Sequence, residues 1–113
     1  MSVKPLTPEE ERKVREGSFP DWIFEAVNTL IIRNMRGNQE FSIRQREIMT
    51  EALNLAPDGT TSQKIYDNGW MDFEPMYRSH GWEVKYKSPA MDESWDAYFT
   101  FKPVPETVVN HGL

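Results

Sequence analysis

Metal, acid–base and nucleophilic chemistry each need particular side chains at particular spacings, and this chain offers few of them. It has no Cys, which excludes thiolate metal sites, disulfides and cysteine nucleophiles. Its two His residues are far apart: His80 closes a helical pattern just before Gly81, and His111 lies near the C-terminus. Neither has carboxylates at the spacing of a zinc site, and a helix-end His is expected to be exposed or to complement the helix dipole. Asp92, Glu93 and Asp96 cluster in a hairpin loop but miss the spacing of a calcium-binding EF-hand, so they read as a solvated turn. Asp72 and Glu74 stand where a helix begins and suit its positive end better than they suit a catalytic dyad. Glycine-rich phosphate cradles are missing. The expectation is a non-enzymatic protein with no cofactor and no metal.

The side chains left for function are those that bind. Arg44 and Arg46 fall in the first turn of an expected helix, the wrong end for its dipole, which makes them candidate contact residues. Arg78, Lys85 and Lys87 complete a set able to face phosphates. Strand alternation brings Lys85, Lys87, Tyr98 and Lys102 onto one outward face. Against nucleic acid stands the charge: 18 Asp and Glu outnumber 13 Lys and Arg, a formal net charge of −5. The acidity is spread along the chain, because between Phe19 and Ala90 ten acidic residues meet eight basic ones. A protein partner is therefore expected before nucleic acid.

These residues need elements to hold them. At 113 residues the chain is sized for one core, and 38% hydrophobic content with 12% aromatics is that of a globular domain. No run of 18 apolar residues occurs and MSVKPLTPEEERK lacks the apolar region of a signal peptide, so no membrane span and a cytoplasmic location are expected. Within 1–18, TPEEERKVREG reads as a helix or arm capped by Thr7 with Glu10, with only Val14 to bury. Ser18 and Asp21 resemble a second capping box before a strongly apolar helix from Trp22 to Met35, which Gly37 would stop. GNQEF is short enough to lend an extended residue to a sheet edge. Ser42 with Gln45 suggests a further boxed helix whose inward stripe is Ile48, Met49, Ala52 and Leu53. A short helix from Thr61 or Ser62 follows the turn at Pro57-Asp58-Gly59, and another is expected after an Asp72 cap, with Phe73, Met76 and Tyr77 on one face.

The sheet comes last. In WEVKYK, Trp82, Val84 and Tyr86 alternate with Glu83, Lys85 and Lys87. In WDAYFTFK, Trp95, Ala97, Phe99 and Phe101 alternate with Asp96, Tyr98, Thr100 and Lys102. Two strands alone cannot bury one apolar face, so the upstream helices must cover it. The fold class expected is α+β, three or four helices on a C-terminal antiparallel hairpin of two or three strands spanning 19–102, with a mobile tail over 103–113.

This order, with SIRQREIMTEAL as second helix, the segment ending YRSHG as third, and WEVKYKSP to AYFTFK as wing, resembles winged helix-turn-helix domains. The block NGWMDFEPMYRSHGWEVKYKSP followed by WDAYFTFK is also similar to small tailed-bacteriophage proteins, most of them without an assigned function. The winged-helix resemblance implies DNA binding through the start of the third helix. Here that start carries Asp72, Glu74 and Pro75, with no basic residue before Arg78. The expected function is accordingly a macromolecule-binding module, a phage accessory protein acting through protein contacts in the host cytoplasm. A winged-helix DNA-binding regulator is the alternative, and a virion or assembly component, which predicts self-association, is the second.

Overall fold

The structure, a computed structural model, describes residues 5–104. Five helices and a three-stranded antiparallel sheet make an α+β fold: α1 Pro8–Gly17, α2 Asp21–Asn34, β1 Phe41–Arg44, α3 Gln45–Leu55, α4 Ser62–Asp67, α5 Glu74–Arg78, β2 Trp82–Lys87 and β3 Tyr98–Pro103. The sheet order is β1-β3-β2. The strand from the middle of the chain thus joins the hairpin on its free edge.

One core holds α2 to the sheet. Ile23, Ala26, Val27, Leu30 and Ile31 recur at helical spacing and are buried, as are Ile48, Met49 and Ala52 of α3. They meet the inward residues of the sheet, Ile43, Val84, Phe99 and Phe101, each at most 1% exposed. Aromatic rings fill the space between layers: Phe99 lies 4.7 Å from Phe73 and 4.8 Å from Tyr86 between ring centroids, and Phe101 stacks on Phe41 at 5.7 Å. Fully burying each such side chain stabilises the fold by roughly 1.5–3 kcal/mol. Trp22 meets Trp70 edge-on at 5.6 Å, which fastens the segment before α5 to α2. By contrast α1 is solvated. Thr7 and Glu10 form the expected capping box, but Val14 is 65% exposed.

Several local expectations need correction. Ser18 ends α1 rather than beginning α2: its hydroxyl donates to the Arg15 carbonyl at 2.7 Å, and Pro20 stands at the N-terminal end of α2 without a side-chain cap. Helix α2 stops at Asn34, before Gly37, whose φ of 60° serves the turn that follows. Ser42 does not cap α3, because FSIR alternates as a strand and pairs with β3. The helix begins at Gln45 instead, whose N–H donates to the Ala97 carbonyl at 2.9 Å, so sheet backbone satisfies a donor that a cap would have taken. Asp72 is not a cap either. Helix α5 starts at Glu74 next to Pro75, which lacks an N–H, while the preceding Phe73 is drawn wholly into the core. Trp95 and Ala97 fall outside β3, since the chain from 88 to 97 forms the connecting loop. At the other end, Pro103 completes β3 and the Val104 N–H donates to the Gly81 carbonyl at 2.9 Å, so 103 and 104 belong with the sheet rather than with the expected tail, whose residues 105–113 lie outside the described part.

Candidate binding surface on the sheet

The pleat of three paired strands sends Ser42 and Arg44 of β1, Glu83, Lys85 and Lys87 of β2, and Tyr98, Thr100 and Lys102 of β3 to the side away from the core. The register arranges them in rows. Arg44 is opposite Tyr98, which is opposite Lys87; Ser42 is opposite Thr100, which is opposite Lys85; and Lys102 faces Glu83. With strands about 4.8 Å apart, Arg44 and Lys87 flank the Tyr98 position across roughly 10 Å, and Lys85 follows Lys87 at roughly 7 Å along its strand. All four cations are exposed, and Tyr98 is half-buried between its neighbours. Four basic side chains thus share the face with the single carboxylate of Glu83, in a chain whose formal net charge is −5.

One end of the face deepens into an open concavity of about 840 Å³ whose lining includes Asn34, Ser42, Arg44, Glu47, Asp96 and Tyr98, with Ser94 and Trp95 from the connecting loop. Trp95 contributes there because the loop carries its ring to 5.7 Å from that of Tyr98, not into the core where alternation placed it. Ser42 and Thr100 share a hydroxyl contact at 3.3 Å, which makes the middle row polar. The sequence reads Ser42 as a helix cap rather than as an outward strand residue opposite Thr100. The alternation Phe41 in, Ser42 out, Ile43 in, Arg44 out was the available signal, and the capping pattern Ser42-x-x-Gln45 masked it.

Two of the expected contact residues lie elsewhere. Arg46 is in the first turn of α3, as expected, but its Nε lies 3.3 Å from the Asp96 carboxylate of the connecting loop, an exposed ion pair away from the sheet rows. Arg78 serves β2: its Nε and Nη2 donate to the Val84 carbonyl at 3.2 and 2.8 Å. That carbonyl belongs to the outer edge of the sheet, and a charged side chain on it blocks further strand pairing. The expected set of Arg44, Arg46, Arg78, Lys85 and Lys87 is therefore not one surface. Arg44, Lys85, Lys87, Tyr98 and Lys102 are.

A second concavity, of about 280 Å³, lies between α2, α5 and the start of β2 and is lined by Phe24, Met76, Tyr77 and Trp82 with Glu16, Asn28 and His80 at its polar positions. The Tyr77 hydroxyl donates to the Asn28 side-chain carbonyl at 2.7 Å, and burial pushes the phenol above its ordinary range. His80 follows α5 as expected of a helix-end residue. Its Nδ1 carries the proton, since it sits 2.8 Å from the Met76 carbonyl, which can only accept. In the connecting loop, Glu93 accepts from the Ala90 N–H at 2.9 Å, which gives one member of the acidic cluster a turn-forming role. Among the described residues no group of three or more His, Asp and Glu side chains comes together as for a metal ion, and no helix is long and apolar enough to cross a membrane.

No protein family matches this chain, and no curated protein or solved structure does so either. Its own geometry is what bears on function.

Proposed function

We propose that this chain is a non-enzymatic macromolecule-binding module, a small phage accessory protein that works through protein–protein contacts made by the outward face of its sheet. The observation that carries the proposal is the juxtaposition of Arg44, Lys85, Lys87 and Lys102 around Tyr98 on one uncovered face of an otherwise acidic protein. Stability gives no reason to gather four cations there, because like charges on neighbouring strands repel. A partner that supplies the opposite charge does give one.

The winged-helix regulator is the second reading, favoured by the sheet order and by the succession helix, strand, helices, hairpin. Helix α5 speaks against it. It has five residues, begins with Glu74, buries Met76 and Tyr77, and commits its arginine to the Val84 carbonyl. Such a helix has little left to place in a major groove.

A pull-down from host or infected lysate with and without nuclease tests the proposal. Capture of a defined protein that survives nuclease and is lost on Lys85→Glu with Lys87→Glu is the expected result. Capture that disappears with nuclease supports the regulator, and capture indifferent to the double charge reversal removes the sheet face from the account.

A further inference from the structure

We infer that the sheet face takes an acidic, extended segment of a partner protein, with carboxylates at alternating positions; this inference rests on the binding-module reading. Charge complementarity sets the sign of the occupant. Within the three strands the outward positions carry Arg44, Lys85, Lys87 and Lys102 against Glu83 alone, and Glu83 already faces Lys102.

The spacing sets the form of the occupant. Lys85 and Lys87 stand at i and i+2 of an extended strand, so their backbone positions repeat at the distance at which an extended peptide repeats its own i and i+2 positions, roughly 7 Å. Arg44 lies two strands across in the same row as Lys87 and offers a planar fork for a carboxylate that the flexible lysines do not. Between them Tyr98 and the Ser42–Thr100 hydroxyl pair make a floor that is polar and weakly apolar by turns. An oily segment would leave those hydroxyls and ammonium groups without partners. A charged and hydroxyl-rich one would not.

The same face suits nucleic acid poorly. Sequence-independent binding of a single strand relies on several exposed rings along the groove for successive bases, and here Tyr98 is the sole aromatic of the outward rows, with Trp95 beside it at one end. A longer polyanion leaving the face at that end meets Glu47 and Asp96 in the concavity, and Asp96 is compensated by Arg46 while Glu47 has no ion-pair partner among the described residues. A segment a few residues long that ends on the face avoids both.

Fluorescence anisotropy with three labelled probes tests this on the full chain: a peptide of alternating Glu and Ser, the same peptide with Gln for Glu, and an oligothymidylate of matching charge. The expected result is binding of the Glu peptide at least about tenfold tighter than of the Gln peptide, weakening as added salt shortens the screening length below ~10 Å. Lys85→Glu with Lys87→Glu should abolish that preference while leaving the circular dichroism spectrum and the melting temperature unchanged. Lys85→Gln with Lys87→Gln should reduce it to an intermediate value. Equal affinity for the Glu and Gln peptides overturns the inference, as does tighter binding of the oligothymidylate. So does a Glu-peptide signal competed away by self-association of the protein in sedimentation experiments. If the peptides are not distinguished but the lysate partner is still lost on charge reversal, the acidic-segment inference fails and the protein-binding proposal stands. If the partner is retained on charge reversal, the proposal itself falls.

Discussion

At the scale of single residues, burial separates side chains that the sequence pattern treats alike. Phe99 and Tyr86 both point toward the core, yet Phe99 is 1% exposed and Tyr86 is 41% exposed at the sheet margin. Phe99→Ala should destabilise by ~3–5 kcal/mol in urea unfolding, because a large ring is removed from between Phe73 and Tyr86. A loss below about 1 kcal/mol would place Phe99 outside the core, against the observed register. Tyr77 makes a different prediction. The native state holds its phenol proton more tightly than the unfolded chain does, because burial disfavours the phenolate. That contribution to stability is complete below the ordinary phenol pKa of about 10 and declines as the pH rises above it. Tyr77→Phe should flatten part of the alkaline decline and lower stability near neutrality by about 0.5–1.5 kcal/mol through loss of the bond to Asn28. Urea titrations at a series of pH values measure both effects, and an unchanged alkaline slope would mean that another group produces it.

At the scale of elements, one side chain closes the sheet edge. Arg78, which its charge groups with the phosphate-facing cations, gives two bonds to one carbonyl of β2. Arg78→Met keeps most of the aliphatic stem and removes the donors. The expected cost is ~1–2 kcal/mol, the lower part of the range for bonds from charged groups because the guanidinium is partly solvated. Light scattering at raised concentration should also increase, since the freed edge can pair with another chain. A variant with unchanged stability and scattering would show that the Val84 carbonyl is equally served by water. Helix α1 is the opposite case: its Thr7–Glu10 cap and its Glu11–Arg15 pair at 2.7 Å are local devices, and the cap was legible because it is set by residues three apart in the chain.

At the scale of the whole molecule, charge decides between partners. A duplex would gain affinity only through released counterions, with a log–log salt slope of about −0.9 for each phosphate neutralised. Arg46 lies beside Asp96 and Arg78 bonds the Val84 carbonyl, so the basic set on one surface is Arg44, Lys85, Lys87 and Lys102. Random-sequence duplex should therefore bind with a Kd of roughly 10⁻⁴ M or weaker at physiological salt. Anisotropy with a labelled duplex at two salt concentrations measures this. Sub-micromolar binding with a steep slope, abolished by Arg44→Glu with Arg46→Glu, would favour the regulator over the protein-binding module.

The fold class, the buried stripes of α2 and α3, the inward Val84, Phe99 and Phe101 of the hairpin, the cap of α1 and the outward set Lys85, Lys87, Tyr98 and Lys102 are legible in the sequence, whereas Trp95 and Tyr86 are not in the core where alternation alone puts them. Each legible feature follows from a periodicity or a cap set within a few neighbouring residues. Which candidate cations share a surface depends instead on contacts made in the folded chain. Whether Arg44 sits on a helix or a strand depended on a competition between a local capping pattern and pairing with β3, more than fifty residues later in the chain. Pairing prevailed because Phe41 and Ile43 gain burial in the core on the sheet's inward side, while the hydroxyl of Ser42 finds Thr100 and the first N–H of α3 finds Ala97. The same pairing carries Arg46 to Asp96 in the loop before β3, while the chain reversal at Gly81 turns Arg78 back onto Val84, six residues on. No capping or alternation pattern in the sequence encodes either contact, since both arise only when helix ends and loops pack beside the strands.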